Sequence, residues 1–134
     1  MMSARTAMRG MSILLVMAGC ALLGDRPPPP QAVETGMLLQ YFNPVAFSVQ
    51  VAGTFNDWKT SPDEKRIFMK KLGDGKWSVI IPFREFSGGS QVYLQHGQRY
   101  QYKFVIDGVD WKKDEGNPRT DVEGTETNSL LIVP

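Results

Sequence analysis

Tyr100-Gln101-Tyr102-Lys103-Phe104-Val105-Ile106-Asp107-Gly108-Val109-Asp110-Trp111 reads as a strand, a tight turn and an exposed aromatic. Tyr100, Tyr102, Phe104 and Ile106 recur with period two, the pattern of a half-buried β-strand. Gln101, Lys103 and Val105 then point to the opposite face. Asp107-Gly108 signals a turn, because glycine takes positive φ without steric cost. The turn delivers Trp111 to the surface near Lys103. A flat apolar ring beside a long hydrogen-bond donor is a candidate ligand platform. The alternative is that Trp111 caps the core and Lys103 is merely solvated.

Outward from this stretch the chain offers more strands of the same kind. Residues 37–42 form a first strand, ended by Asn43-Pro44. Residues 46–52 alternate, with Phe47, Val49 and Val51 on one face and Ser48 and Gln50 on the other. Residues 53–62 are a loop. Residues 66–72 are a strand with Met69 and Leu72 apolar, and Gly73-Asp74-Gly75 is a turn. Residues 76–82 place Trp77, Val79 and Ile81 on one face, so Trp77 belongs to the core. Ser87-Gly88-Gly89-Ser90 is a turn, and Val92-Tyr93-Leu94 a short extra strand. Residues 112–127 are polar loop, and residues 129–133 a last strand. No stretch keeps a helical period, and no internal repeat is evident. Short strands separated by Gly, Pro, Asn and Asp predict an all-β fold, an antiparallel β-sandwich.

A length of 134 residues fits one folded domain. The 15 basic and 14 acidic residues balance, which removes the electrostatic footprint of a nucleic-acid binder. With a single cysteine, Cys20, and a single histidine, His96, the chain has no internal disulfide framework and no basis for a Cys/His zinc site. No cofactor is implied. At the N-terminus Arg5 and Arg9 precede a short apolar run, residues 11–18, which is too short to cross a bilayer. Met17-Ala18-Gly19-Cys20 then resembles the lipobox of bacterial lipoproteins, with Met17 where leucine is usual. That resemblance implies lipidation of Cys20. With Ala21 rather than aspartate next, it also implies sorting to the outer membrane of the cell envelope. An ordinary secretory signal is the alternative. The chain divides into a signal peptide (1–19), a Pro-rich tether (20–36) and a β-sandwich domain (37–134). Pro27-Pro28-Pro29-Pro30 should act as a stiff polyproline spacer within the tether.

Three stretches carry a second resemblance. Val51-Ala52-Gly53-Thr54-Phe55-Asn56-Asp57-Trp58 is the first, and Tyr102-Lys103-Phe104-Val105-Ile106-Asp107-Gly108 the second. The third is Trp111-Lys112-Lys113-Asp114-Glu115-Gly116-Asn117-Pro118, followed by Asn128-Ser129-Leu130-Leu131-Ile132-Val133. In this order they resemble the glycogen-binding, or isoamylase early-set, domains of carbohydrate-binding module family 48. The resemblance implies an immunoglobulin-like sandwich of the early-set type that holds α-1,4-glucan such as glycogen or starch. It places stacking tryptophans at Trp58 and Trp111, a hydroxyl-binding lysine at Lys103 and a site threonine at Thr125. Asn128 belongs with them or else ties the last loop to neighbouring backbone. The logic suits a sugar, whose apolar C–H face an indole covers and whose hydroxyls need paired donors and acceptors. Glu123 stands where the family's glycogen binders have leucine, and Thr127 where they have asparagine. The segment between Phe83 and Gln98 is also longer than usual.

Catalysis finds little support. Asp57, Asp63, Glu64, Asp107, Asp110, Asp114 and Glu115 lie mostly in predicted turns, where aspartate usually serves the backbone. His96 has no nucleophile motif to serve. Val109 and Trp111 fall where a calcium loop needs oxygen ligands. The expected protein is therefore a non-catalytic, lipid-anchored envelope module whose partners are an α-glucan and, through Cys20, the membrane. The rival is an adaptor for another envelope protein with a degenerate sugar site, which predicts exposed edge strands or an apolar patch around Tyr93 and Leu94.

Overall fold

The structure is a computed structural model and describes residues 26–134. The signal-peptide and Cys20 readings fall outside the described residues. At its centre runs β6 (Arg99–Ile106), whose alternation works as the sequence predicts. Tyr102, Phe104 and Ile106 are buried in the core, and Tyr100 packs against it. In the other layer β5 (Lys76–Pro82) turns Trp77 and Ile81 into the same core, with Val79 packed beside them. The Trp77 indole N–H is satisfied by the carbonyl of Asn43 at 2.9 Å, so a large aromatic is buried without an orphaned donor.

Two antiparallel sheets enclose this core. One sheet has the order β1 (Gln31–Ala32), β2 (Gly36–Phe42), β5, β4 (Lys70–Gly73). The other has the order β3 (Val49–Gly53), β6, β9 (Glu126–Ile132), β8 (Thr120–Glu123). A short strand, β7 (Asp110–Lys112), also pairs with β6. Residues 99–102 of β6 pair with β9 and residues 104–106 with β7, so these two strands share one edge of β6. Tyr41 of β2 meets Phe104 of β6 at 4.8 Å between ring centres and ties the sheets together. The architecture is the expected all-β, immunoglobulin-like sandwich.

Local departures have physical causes. Phe47, read as an inward residue of a strand over 46–52, is 92% exposed, because β3 begins only at Val49. The preceding turn is held instead by Asn43, whose Oδ1 accepts from the N–H groups of Val45 and Ala46. Gln50 was expected to face outward, yet it is buried, because the loop after β3 folds over it and Ser61 N–H donates to its Oε1 at 2.7 Å. The segment read as one strand over 66–72 serves both sheets. Ile67 and Met69 exchange backbone hydrogen bonds with β3, and the chain then crosses to pair with β5 as β4. Leu72 is left exposed on that edge. The 92–94 segment makes only a single bridge, Leu94 with Phe83. The 112–127 region, read as loop, contains β8 and the start of β9. Finally, Gln31 and Ala32, inside the segment read as tether, pair with Leu38 and Met37 of β2.

Candidate functional site

Asn56 builds the first wall of the site. Its buried side chain accepts from Gly53 N–H at 2.9 Å and donates to the carbonyls of Val51, Lys59 and Lys65. One amide thus fixes both ends of the loop that leaves β3. A short 3₁₀ turn, Thr54–Asn56, carries the chain round. Asp57 and Trp58 then take φ of 54° and 58°, a left-handed pair without glycine. Such residues cost about 1–2 kcal/mol each, and the Asn56 network must offset that. Trp58 N–H donates back to Gly53 C=O at 2.9 Å, and its indole is left half-buried. Asp57 is gripped by Lys65 at 2.6 Å, a hydrogen bond that holds the carboxyl below its ordinary range.

β6 and β7 build the floor and the second wall. Trp111 lies opposite Val105 in the ladder, so both share the outer face of the sheet with Lys103, two residues away on the same strand. Val105 is fully buried there, whereas Trp111 keeps 45% of its surface exposed. The turn that precedes β7 is fixed by Asp107, at φ 52°, and by Gly108.

Behind β7 the chain is anchored by a buried polar cluster. Tyr102 O–H donates to Asp114 Oδ2 at 2.6 Å, and Asn117 Nδ2 donates to the Tyr102 oxygen and to Leu130 C=O. Asp114 also accepts from Gly116 N–H, while its own N–H donates to Ser129 Oγ. Burial pushes the Asp114 carboxyl up, against the Tyr102 and Gly116 hydrogen bonds that pull it down. Burial and the neighbouring Asp114 together push the Tyr102 hydroxyl far above its ordinary range. Asp114 therefore serves the fold.

The third side is the β8–β9 hairpin. Glu123 and Glu126 close it around Gly124 and Thr125, and glycine takes the φ of 64° at the first turn position. Glu126 reaches Lys103 at 3.4 Å, with the lysine side chain mostly covered and the glutamate mostly open. Asn128, buried on β9, donates from Nδ2 to Gln101 Oε1 at 2.8 Å. Gln101 in turn reaches Asp121 at 3.4 Å.

These elements meet in one open recess of about 380 Å³, lined by Trp58, Lys103, Trp111, Glu123, Glu126 and Asn128. Larger recesses exist among the described residues, one of about 470 Å³ beside the prolines and Leu130–Ile132 and one of about 410 Å³ beside Arg26 and Lys112, but neither has an indole in its lining. Residues 23–121 match the family model for carbohydrate-binding module 48, the isoamylase N-terminal domain. The chain belongs to that family. A comparison with curated protein sequences finds no match.

In this carbohydrate-binding module 48 domain, four of the five residues singled out from sequence, Trp58, Lys103, Trp111 and Asn128, line the recess. Thr125 does not line it and stands exposed at the tip of the adjoining turn. Asn128 is tied to a side chain, Gln101, rather than to backbone. The family match ends at 121, inside β8 and short of Glu123, Glu126 and Asn128. Glu126 is the lining residue that sequence reasoning missed. Its signal was Gly124-Thr125 between two extended runs, a hairpin turn that would have put Glu123 and Glu126 side by side. The family is one of non-catalytic, glycan-binding modules, and among the described residues no cluster of three or more His, Cys, Asp or Glu is placed to hold a metal.

Proposed function

We propose that this module binds α-1,4-linked glucan chains of the glycogen or starch type, while a lipid on Cys20 holds it at the cell envelope, in the outer membrane. One observation carries the binding reading: two indoles, a lysine and an asparagine from separate strands and loops converge on one recess. Glucosyl rings stack on Trp58 and Trp111. Lys103 donates to ring hydroxyls, Asn128 supplies a further polar contact, and Thr125 reaches a longer chain from the rim. Glu123 and Glu126 accept from hydroxyls and exclude anionic glycans. The recess is shallow and desolvates little area, so single-site affinity is weak. The anchor reading rests on Met17-Ala18-Gly19-Cys20 after the apolar run.

Native electrophoresis through gels containing glycogen, amylopectin or a β-glucan tests the ligand. Retardation in the α-glucan gels alone, lost in Trp58→Ala and in Trp111→Ala, is the expected result. Unchanged mobility in every gel refutes it. Incorporation of labelled palmitate into the full chain, abolished by Cys20→Ser, tests the anchor separately. The adaptor alternative looked to an apolar patch at Tyr93 and Leu94. Leu94 is fully buried and Tyr93 is half-buried, with the Arg84 guanidinium 5.7 Å from its ring centre, so nothing at that place favours it.

A further inference from the structure

The exposure of Phe47 is unexplained by the glycan recess. At the end of the sandwich toward which β2 and β6 run, the turn of residues 43–48 meets the turn of residues 107–109. Asp107 Oδ1 accepts from Phe47 N–H at 2.7 Å and from Ser48 N–H at 3.0 Å, and Asp107 N–H donates to Ser48 C=O. The two turns are thus clamped together. From this clamp Phe47, Val45 and Val109 project with 92%, 80% and 74% of their surface exposed. Three exposed apolar side chains on two hydrogen-bonded turns are a feature that can mark an interaction surface.

The path of the chain bears on this end of the molecule. The pairing of β1 with β2, Gln31 opposite Leu38, runs the preceding residues back along β2 to this same end. Arg26 there lines a recess with Tyr41, Phe42, Lys112, Lys113 and Glu115. Cys20 lies six positions before Arg26 in the sequence, a separation that cannot exceed roughly 20 Å. Arg26, Lys112 and Lys113 supply positive charge beside the tip, tempered by Asp110 and Glu115. Contact with lipid would therefore rest on apolar insertion more than on charge.

We propose that this end of the sandwich docks on the bilayer surface. Val45, Phe47 and Val109 enter the headgroup–acyl boundary, and Arg26, Lys112 and Lys113 face lipid phosphates. The orientation rests on the anchor reading, which brings the chain to the membrane at this end. Trp111, two residues beyond Val109 on β7, then holds the glycan recess close above the membrane.

The test uses the full chain, matured in a bacterial host and reconstituted on vesicles of phosphatidylethanolamine and phosphatidylglycerol. A nitroxide is placed at Val109→Cys or, for reference at the far end of the molecule, at Ser90→Cys. On the vesicles the label at 109 should gain collisions with oxygen and lose them with an aqueous nickel chelate, while the label at 90 stays aqueous. Raising the salt should change this little. Adding Phe47→Ser and Val45→Ser should return the label at 109 to water. Protein that sediments with vesicles while the label at 109 stays as aqueous as that at 90 keeps the anchor and overturns the docking. Protein left in the supernatant overturns both. Dipolar broadening between labels at 109 without lipid assigns the tip to a second copy of the chain and overturns the proposal as well.

Discussion

Trp58 and Trp111 stand beside Lys103, and the three differ in what they need from the fold. Trp111 needs only β7 pairing with β6, so Trp111→Ala should leave thermal stability almost unchanged. It should weaken glucan binding by about 2 kcal/mol or more, the scale for loss of a central aromatic anchor. Trp58 sits in a left-handed conformation that glycine or asparagine would hold more easily. A tryptophan kept there at a conformational cost points to work done by its ring. Lys103→Met keeps the stem and removes the donor. It should weaken glucan binding by about 1–2 kcal/mol without unfolding, measured by calorimetric titration. Tyr102→Phe makes the opposite prediction. It leaves Asp114 Oδ2 and Asn117 Nδ2 each one hydrogen bond short in a buried place. Chemical denaturation should show a loss of about 1–3 kcal/mol.

The loop after β3 behaves as a unit because one amide holds it. Asn56→Ala removes the acceptor of Gly53 N–H and the donor to three carbonyls. About 2–3 kcal/mol of stability should go, and glucan binding should fall with it as Trp58 loses its position. Asn56→Asp retains the acceptor and should lose less. At this scale the limits of the sequence are plain. The alternation of β5 and β6 was legible because each has one face in the core and the other toward solvent or the site. Phe47 misled because period two continued past the true start of β3, and alternation alone does not say where a neighbouring strand stops supplying partners. The 66–72 segment misled because it pairs with one sheet and then the other, and residue type does not mark such a crossing. β8 was missed because all its residues are exposed and polarity reads as loop. Trp58, Lys103 and Trp111 were legible as a group only through family likeness. Nothing local in the sequence brings residues 58 and 111 to one place.

Across the whole molecule, titration should be felt at His96 with Glu85, at Asp114 and at the Asp57–Lys65 pair. His96 links Glu85, at 2.6 Å, with the backbone oxygen of Pro134, and its ring lies 4.4 Å from that of Phe83. The Glu85 hydrogen bond first, then the Pro134 one, raises the imidazole above its ordinary value. A raised folded value means stability fully present below the unfolded histidine pKa, about 6.5, and lost as pH rises through the higher folded one. Glu85, lowered by its own backbone N–H and then by His96, works the other way: its contribution is present above the ordinary glutamate range and lost as pH falls through the folded value. Thermal melts of the parent should therefore weaken as pH climbs past the histidine range, and those of His96→Ala should lack that step. Asp114, raised by burial, contributes in the same sense as His96 but from the ordinary aspartate range upward. Its step should survive in His96→Ala. The central claim is that the two recess indoles, and not the core one, receive a glucan. The most direct measurement is an NMR titration of the indole N–H signals of the three tryptophans with maltoheptaose. The signals of Trp58 and Trp111 should move together along one saturable curve. That of Trp77, held by Asn43 C=O inside the sandwich, should stay still. Movement of Trp77 alone, or of none of the three at millimolar sugar, would contradict the account.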